Sequence, residues 1–285
     1  MKRLVLALVV ILLAWTAAGL PTRADTLDRI RETGVFKMGF RMDAKPLSFL
    51  DPDGKAAGYA VDICRRIATA IRVELGLVEL KTAYVPVSAE DRIERLLEGA
   101  IDMECASSTR TLERQAQVDF TLLTFVTGAA MLTRVESEIE DLPDIAGRKV
   151  GVLSGTTTEA GLSRALKAGG IDAQVTLMER HEYGIASLET KEIDAYFADR
   201  VLLLGLAERA IEPGKLKLSQ QLYSYEPYAF MLRRGDDDLR LIADRTIAAL
   251  YRSGEIEEVY RAWFGEAKAG NLLRALYILQ AIPER

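Results

Sequence analysis

One histidine, two cysteines and two tryptophans in 285 residues leave little material for several kinds of chemistry. His181 stands alone, and no Cys/His group has the spacing of a zinc site. Neither a G-x-S-x-G nucleophile elbow nor a phosphate loop occurs; Ser154-Gly-Thr is small and polar but lacks the loop's Lys. No metal, no cofactor and no catalytic residue are therefore expected, and the chain does not read as an enzyme. An excess of basic charge is missing too. Removing Lys2, Arg3 and Arg23 from 37 basic residues leaves 34 against 42 acidic, a net charge of −8, which argues against nucleic acid and anionic membranes as partners. The apolar run Leu4 to Ala18 is shorter than the roughly 20 residues of a spanning helix.

That run follows Lys2 and Arg3 and leads to Thr22-Arg23-Ala24, the pattern of a secretory leader over residues 1–24, cut before Asp25. The mature protein is expected to be exported to the periplasm, soluble and monomeric. An oxidising compartment permits a bridge between Cys64 and Cys105. Cysteine is also a common small buried residue, and the sequence favours two unbridged thiols.

Strand-like and helix-like stretches alternate. Val35 to Phe40 reads as a first strand, with Arg41 in the polar break after it. Asp51-Pro-Asp-Gly54 is a turn between short strands. Cys64, Ile67, Ala68, Ile71 and Leu75 recur at helical spacing, Leu77 to Val85 is strand-like, and Ser88 caps a helix ended by Gly99. Ala100 to Met103 reads as a short buried strand running through Ser107, Ser108 and Thr109 into a helix start at Leu112. A helix N-terminus there would attract anions, and Arg114, one turn in, would add a planar fork. Taken alone, the segment reads first as an ordinary capped helix with a solvated Arg.

A second segment repeats the design. Lys149 to Leu153 is a strand, and Thr156 with Glu159 has the spacing of a capping box. Strands at Gln174 to Met178 and Ile193 to Ala198 follow, with helices near Tyr183 to Glu189, Arg200 to Ala210, Asp237 to Ser253 and Glu255 to Phe264. Asn271 to Ile282 looks helical without an evident task. Two α/β halves, each offering a helix N-terminus, imply a ligand held between lobes. Polar groups then gather at strand ends and loops: Arg41, Arg92, Thr109, Arg114, Thr156, His181 and Asp199. Each has a plain alternative: Arg92 as an exposed helix member beside Asp91 and Glu94, Asp199 as a cap for the next helix, His181 as a loop residue.

These residues carry a family resemblance. Gly39-Phe-Arg41, Gly58-Tyr59 with Asp62, Arg92-Ile with Leu96-Leu97, Met103 to Thr109, Glu113-Arg-Gln115, Ser154 to Thr157, His181, Asp199 with Leu202-Leu203, Tyr228 to Arg233 and Trp263-Phe264 make the chain resemble the periplasmic amino-acid-binding proteins of ABC importers (solute-binding protein family 3). The resemblance is strongest to the glutamate/aspartate-binding branch. It implies the α/β fold of type II periplasmic binding proteins, two Rossmann-like lobes joined by two crossing strands. Lobe 1 would comprise residues 25–127 and 226–285, and lobe 2 residues 128–225. The crossings, near Phe125 to Thr133 and near Ser224 to Tyr228, would act as a hinge. It implies a membrane permease as partner and an acidic amino acid as ligand. Arg114, Ser107, Thr109 and Thr156 would hold the ligand α-carboxylate. Asp199 and the Ser107 carbonyl would take the ammonium, and Arg41, Arg92 and His181 would face the side-chain carboxylate.

The physics of that division points the same way, since two guanidinium groups facing a neutral side chain would lack an anion. A protonated His181 would strengthen the hold, so affinity would fall as pH rises past its titration. Departures from the branch are Ala89 for Ser, Leu153 for Thr, and Ala106 and Ser108 for Gly and Thr, which leave aspartate versus glutamate open. Two other classes share the architecture: a dehydratase-like enzyme with Glu104 or His181 as general acid, and a ligand-sensing input to a membrane receptor.

Overall fold

The computed structural model describes residues 26–285; the leader reading of residues 1–24 lies outside them. Among the described residues no helix is long and apolar enough to cross a membrane. Helix α1 (Thr26–Thr33) leads into strand β1 (Val35–Arg41), where Phe36, Met38 and Phe40 alternate into the core. A small antiparallel sheet follows, β2 (Asp43–Ala44), β3 (Ser48–Leu50) and β4 (Ala56–Ala57), around the turn at residues 51–54. Helix α2 (Tyr59–Glu74) buries Ile63, Cys64, Ile67 and Ile71 on one face and leaves Val73 and Glu74 exposed. Strand β5 (Lys81–Val87) begins four residues later than its apolar pattern does, because Leu77 to Leu80 serve as the approach from the helix.

Helix α3 (Arg92–Leu97) has Asp91 as its N-cap without a side-chain cap; Ser88, expected to cap it, instead closes the preceding turn, its hydroxyl accepting the Asp91 N–H at 3.0 Å and its N–H donating to Asp91 Oδ1 at 2.7 Å. The strand expected over residues 100–103 is displaced: β6 is only Met103–Glu104, since the buried Asp102 carboxylate turns to the Lys37 N–H, Arg29 and Arg233. The helix expected from Leu112 is a single turn, α4 (Leu112–Gln115), capped by Thr111, whose hydroxyl accepts the Arg114 N–H. A helix this short has no useful macrodipole, so the anion-binding role drawn from its N-terminus is not supported.

Strand β7 (Val118–Thr127) runs out of this half and continues as β8 (Ala129–Arg134). The second half is β9 (Lys149–Leu153), α5 (Thr157–Gly169), β10 (Gln174–Met178), α6 (His181–Glu189), β11 (Ala195–Asp199), α7 (Arg200–Ala207) and β12 (Leu216–Leu218). Strand β13 (Glu226–Arg233) returns, followed by α8 (Asp237–Ser253), α9 (Glu255–Phe264) and α10 (Asn271–Leu279). The first sheet has order β5-β1-β6-β13-β7 and the second β10-β9-β11-β8-β12. Each begins with three parallel strands ordered second, first, third; a strand antiparallel to them follows, then an antiparallel edge strand. The echo between halves is thus a shared topology.

The chain passes between sheets at Gly128 and again just before Glu226. A side chain at residue 128 would put a Cβ 2.3 Å from the Ser224 carbonyl oxygen, so only glycine lets the two crossings lie side by side. Strand β7 is an edge, yet its backbone is paired by side chains. Asp244 and Gln280 accept the Leu122 and Leu123 N–H groups at 2.7 Å, Tyr251 donates to the Leu123 carbonyl, and Tyr59 to that of Thr124. Gln280 follows α10, so the C-terminal helix has a task the sequence did not disclose.

Cys64 and Cys105 are bridged, with Cα atoms 6.2 Å apart. This overturns the reading of two free thiols. Helix α2 packs on β1, and β6 pairs with β1, so Cys105 just past β6 comes beside the helix, a proximity invisible in a separation of 41 residues. The bridge anchors the segment that leads to Ser107 and Thr109.

Candidate ligand site between the two sheets

In both sheets the parallel strands end toward the gap between lobes, where open α/β folds present their ligand sites. Arg41 ends β1, Leu153 ends β9 and Asp199 ends β11, while the segment after β6 carries Ser107 and Thr109. One small cavity, about 360 Å³ including the space at its mouth, is lined by all eight residues singled out from the sequence, together with Leu153, Thr157, Thr158 and Leu202. The lobes meet around it. Arg92 donates to the Gly155 carbonyl at 3.4 Å, Thr109 pairs with Thr157 at 3.2 Å, and Ser154 donates to Glu90.

Three plain alternatives fail here. Arg92 is 3% exposed rather than on a solvated face. His181 is a buried first residue of α6 rather than a loop residue. Asp199 occupies the N-cap position of α7 but makes no side-chain cap; its carboxylate accepts from Thr158 at 2.9 Å and from the Tyr228 hydroxyl.

The cationic end is uneven. Burial, then the neighbouring Arg114 charge, push the Arg92 pKa down to about 9, opposed mainly by Glu104. Its Nε–H is buried without a protein partner, as is Glu104 Oε2. Arg41, in contrast, is already paired: its Nη2 donates to Asp43 at 2.7 Å. Two guanidinium groups without a paired anion were expected; among the described residues Arg92 makes no ion pair, although the Glu104 charge favours its cationic form. His181 also departs from expectation. Burial is the main cause that pushes its pKa down to about 4, so it is neutral at physiological pH and cannot supply a charge that titrates there. Its Nδ1 lies 2.9 Å from the Tyr196 hydroxyl, which leaves Nε2 as the ring nitrogen without a protein partner.

At the other end Arg114 donates to the Thr109 carbonyl at 2.9 Å. Burial lowers its pKa, while Glu104, Glu226 and Asp199 act to raise it. Burial is also the largest cause lifting Asp199 to about 6, with the Glu226 charge next. Glu226 begins β13 at the second crossing and gathers both lobes, accepting from Thr109 at 2.5 Å, Thr157 at 2.7 Å and Ser224 at 2.6 Å. Thr156 is occupied as well: its hydroxyl donates to the Leu153 carbonyl and accepts the Glu159 N–H, while Glu159 reaches the Gly155 N–H rather than closing the expected box. What this helix start can offer an anion is the first-turn N–H groups of Thr157 and Thr158.

Sequence reasoning missed Asp43, Glu226, Thr157, Thr158 and Tyr228 as parts of the site. Asp43 had a signal, lying two residues beyond Arg41 on extended chain and so on the same side. Glu226 had one too, as an acid at a candidate crossing. Glu104, weighed as a general acid, does not line the cavity; the Ser108 hydroxyl donates to it behind Arg92, and burial raises its pKa.

Residues 36–266 match the family model of bacterial extracellular solute-binding proteins, family 3. The chain is 33% identical over 252 residues to a glutamate/aspartate import solute-binding protein of Salmonella typhimurium, covering 88% of this chain and 83% of that protein. It is 34% identical over 244 residues to an L-glutamate/L-aspartate-binding protein of Pseudomonas aeruginosa, covering 84% and 80%. Among solved structures, a mutant arginine-binding protein from T. maritima superposes with a TM-score of 0.74 at 27% identity, covering 84% of this chain and 99% of that one. A histidine-bound ABC uptake transporter substrate-binding protein from Streptococcus pneumoniae gives 0.76 over 86% and 98%, at 21% identity, a likeness of fold alone.

Proposed function

This chain belongs to the bacterial extracellular solute-binding proteins of family 3, and on that footing we propose that it captures glutamate or aspartate between its lobes and delivers it to the membrane permease of an ABC importer. Export to the periplasm by cleavage of residues 1–24, and action as a monomer, are part of the same proposal. The observation that carries the ligand class is Arg92, a buried guanidinium with an unpartnered Nε–H and a pKa pressed down to about 9. A ligand carboxylate would supply the missing Nε–H acceptor and a directly paired charge. At the opposite end Asp199, raised to about 6, lacks a cation that an ammonium would provide.

In this reading Arg114, Ser107, Thr109 and the start of α5 at Thr156 receive the α-carboxylate. Asp199 and the Ser107 carbonyl receive the ammonium, and Arg92, Arg41 and neutral His181 receive the side-chain carboxylate. Thr109 must turn its hydroxyl from Glu226 to do so. Binding would favour the closed arrangement because the ligand touches both lobes at once. In this reading the site holds its ligand rather than transforming it, which is supported by Glu104 lying behind the cavity wall and by His181 being neutral. A thermal-shift screen tests the proposal. A ligand at a hundredfold excess over its Kd stabilises by about 2.7 kcal/mol, so glutamate or aspartate should raise Tm most. A rise with neutral or basic amino acids and none with either acid would refute it.

A further inference from the structure

Arg41 does not meet the cavity as a free cation. Asp43 accepts from it at 2.7 Å, with both side chains almost wholly buried. The second oxygen of Asp43 accepts the His181 N–H from the opposite lobe at 3.0 Å. Burial works against an ionised Asp43, but the Arg41 charge and the hydrogen bonds from the His181 N–H and the Arg41 guanidinium hold its carboxyl below the usual range. Helix α6 begins at His181 after Arg180, which supplies no side-chain acceptor, so the Asp43 carboxylate stands across the lobe boundary where a cap would. Asp43 itself does not line the cavity; it faces an outer groove with Arg95 and Arg180.

We infer that Asp43 is a specificity-determining residue that sets how strongly the site prefers a side-chain carboxylate over a side-chain amide. This rests on the ligand reading above. A protein carboxylate fixed behind Arg41 cancels that guanidinium's charge and repels a second carboxylate brought to it. A neutral amide at the same place is nearly indifferent to it. A unit charge set back from the ligand by about 6–12 Å, at an effective dielectric of about 20, changes affinity by roughly ten- to a hundredfold. Acid preference in this protein therefore comes from Arg92, and Asp43 tempers it.

Calorimetry with glutamate and glutamine on the wild type, Asp43→Asn and Asp43→Ser tests this. Asparagine removes the charge and keeps one acceptor oxygen, for Arg41 or for the His181 N–H, while serine removes both charge and carbonyl. The ratio of the glutamine Kd to the glutamate Kd should rise by roughly ten- to a hundredfold in Asp43→Asn, with Asp43→Ser changing in the same direction. A purely structural Asp43 would weaken both ligands together, and an unchanged or lower ratio overturns the inference. Should neither variant fold, the wild-type ratio decides. A value below about 10³ supports a tempered site, whereas the 10⁴-fold or more reached when buried polar groups lose their partners would overturn it. Wild type binding glutamine but neither acid would sink the ligand reading instead, and the variants would then still be expected to gain glutamate affinity.

Discussion

Acidification separates two accounts of the site by sign. Asp199, with a pKa of about 6, is the group that would face the ligand ammonium. Its ionised form attracts the ammonium and its protonated form does not, so the bound ligand lowers its pKa and binding expels a proton below about pH 6. At pH 7 a group of pKa 6 is about ten-elevenths ionised and at pH 5 about one-eleventh, so affinity should fall about tenfold across that window, or about 1.4 kcal/mol. His181 contributes nothing there, because at about 4 it remains neutral throughout. Had His181 governed as an imidazolium, affinity would rise on acidification. Calorimetry with glutamate at pH 5, 6 and 7, repeated in buffers of different ionisation enthalpy, reads both the Kd and the released proton. Glu226→Gln removes the second cause of the Asp199 shift and should move the acid limb to lower pH. Affinity that stays flat or rises from pH 7 to pH 5 refutes the assignment of Asp199.

Other consequences can be measured separately. Replacing Cys64 and Cys105 with Ser opens a loop spanning a separation of 41 residues and should cost about 4 kcal/mol in denaturant unfolding; a loss below about 1 kcal/mol would mean the bridge does not constrain the unfolded chain. Gly128→Ala forces a Cβ to 2.3 Å from the Ser224 carbonyl and should destabilise by about 1–3 kcal/mol, read as a lower Tm. Gly155→Ala places a Cβ 3.0 Å from the Ala89 carbonyl of the opposite lobe at a φ of +72°, so it should weaken every ligand alike, checked by comparing Kd ratios. Scattering with and without saturating glutamate should show a smaller radius of gyration in the bound state, if the crossings at Gly128 and near Glu226 act as the hinge.

Much of the architecture was legible because it is written in local pattern. Helices α8 and α9 fall where the apolar period of 3.6 begins and ends, and β9 and β10 where short apolar runs lie between turns. Positions that depend on distant partners were not legible. Residues 100–102 look like strand but yield to Asp102, whose carboxylate is drawn to Arg29 and Arg233. The bridge between Cys64 and Cys105 depends on α2 packing on β1 beside its partner strand β6, which no spacing reveals. At the site, the strand ends brought together every residue that sequence singled out, since parallel sheets deliver their carboxyl ends to one side. Charge states escaped: Arg41 pairs with Asp43 only two residues on, a local signal passed over, and the low pKa of His181 comes chiefly from burial where the lobes meet.

In the proposed function a buried, under-partnered Arg92 is what selects an acidic amino acid. Competition calorimetry of glutamate, aspartate, glutamine, arginine and leucine against wild type and Arg92→Ala tests it most directly. A charge-assisted bond contributes about 1.5–3 kcal/mol, so Arg92→Ala should weaken both acids by roughly ten- to a hundredfold and leave glutamine far less affected. Glutamate or aspartate should be the tightest wild-type ligand, with that order lost in the variant. Tighter wild-type binding of glutamine, arginine or leucine than of both acids, or glutamate affinity untouched by Arg92→Ala, would contradict it.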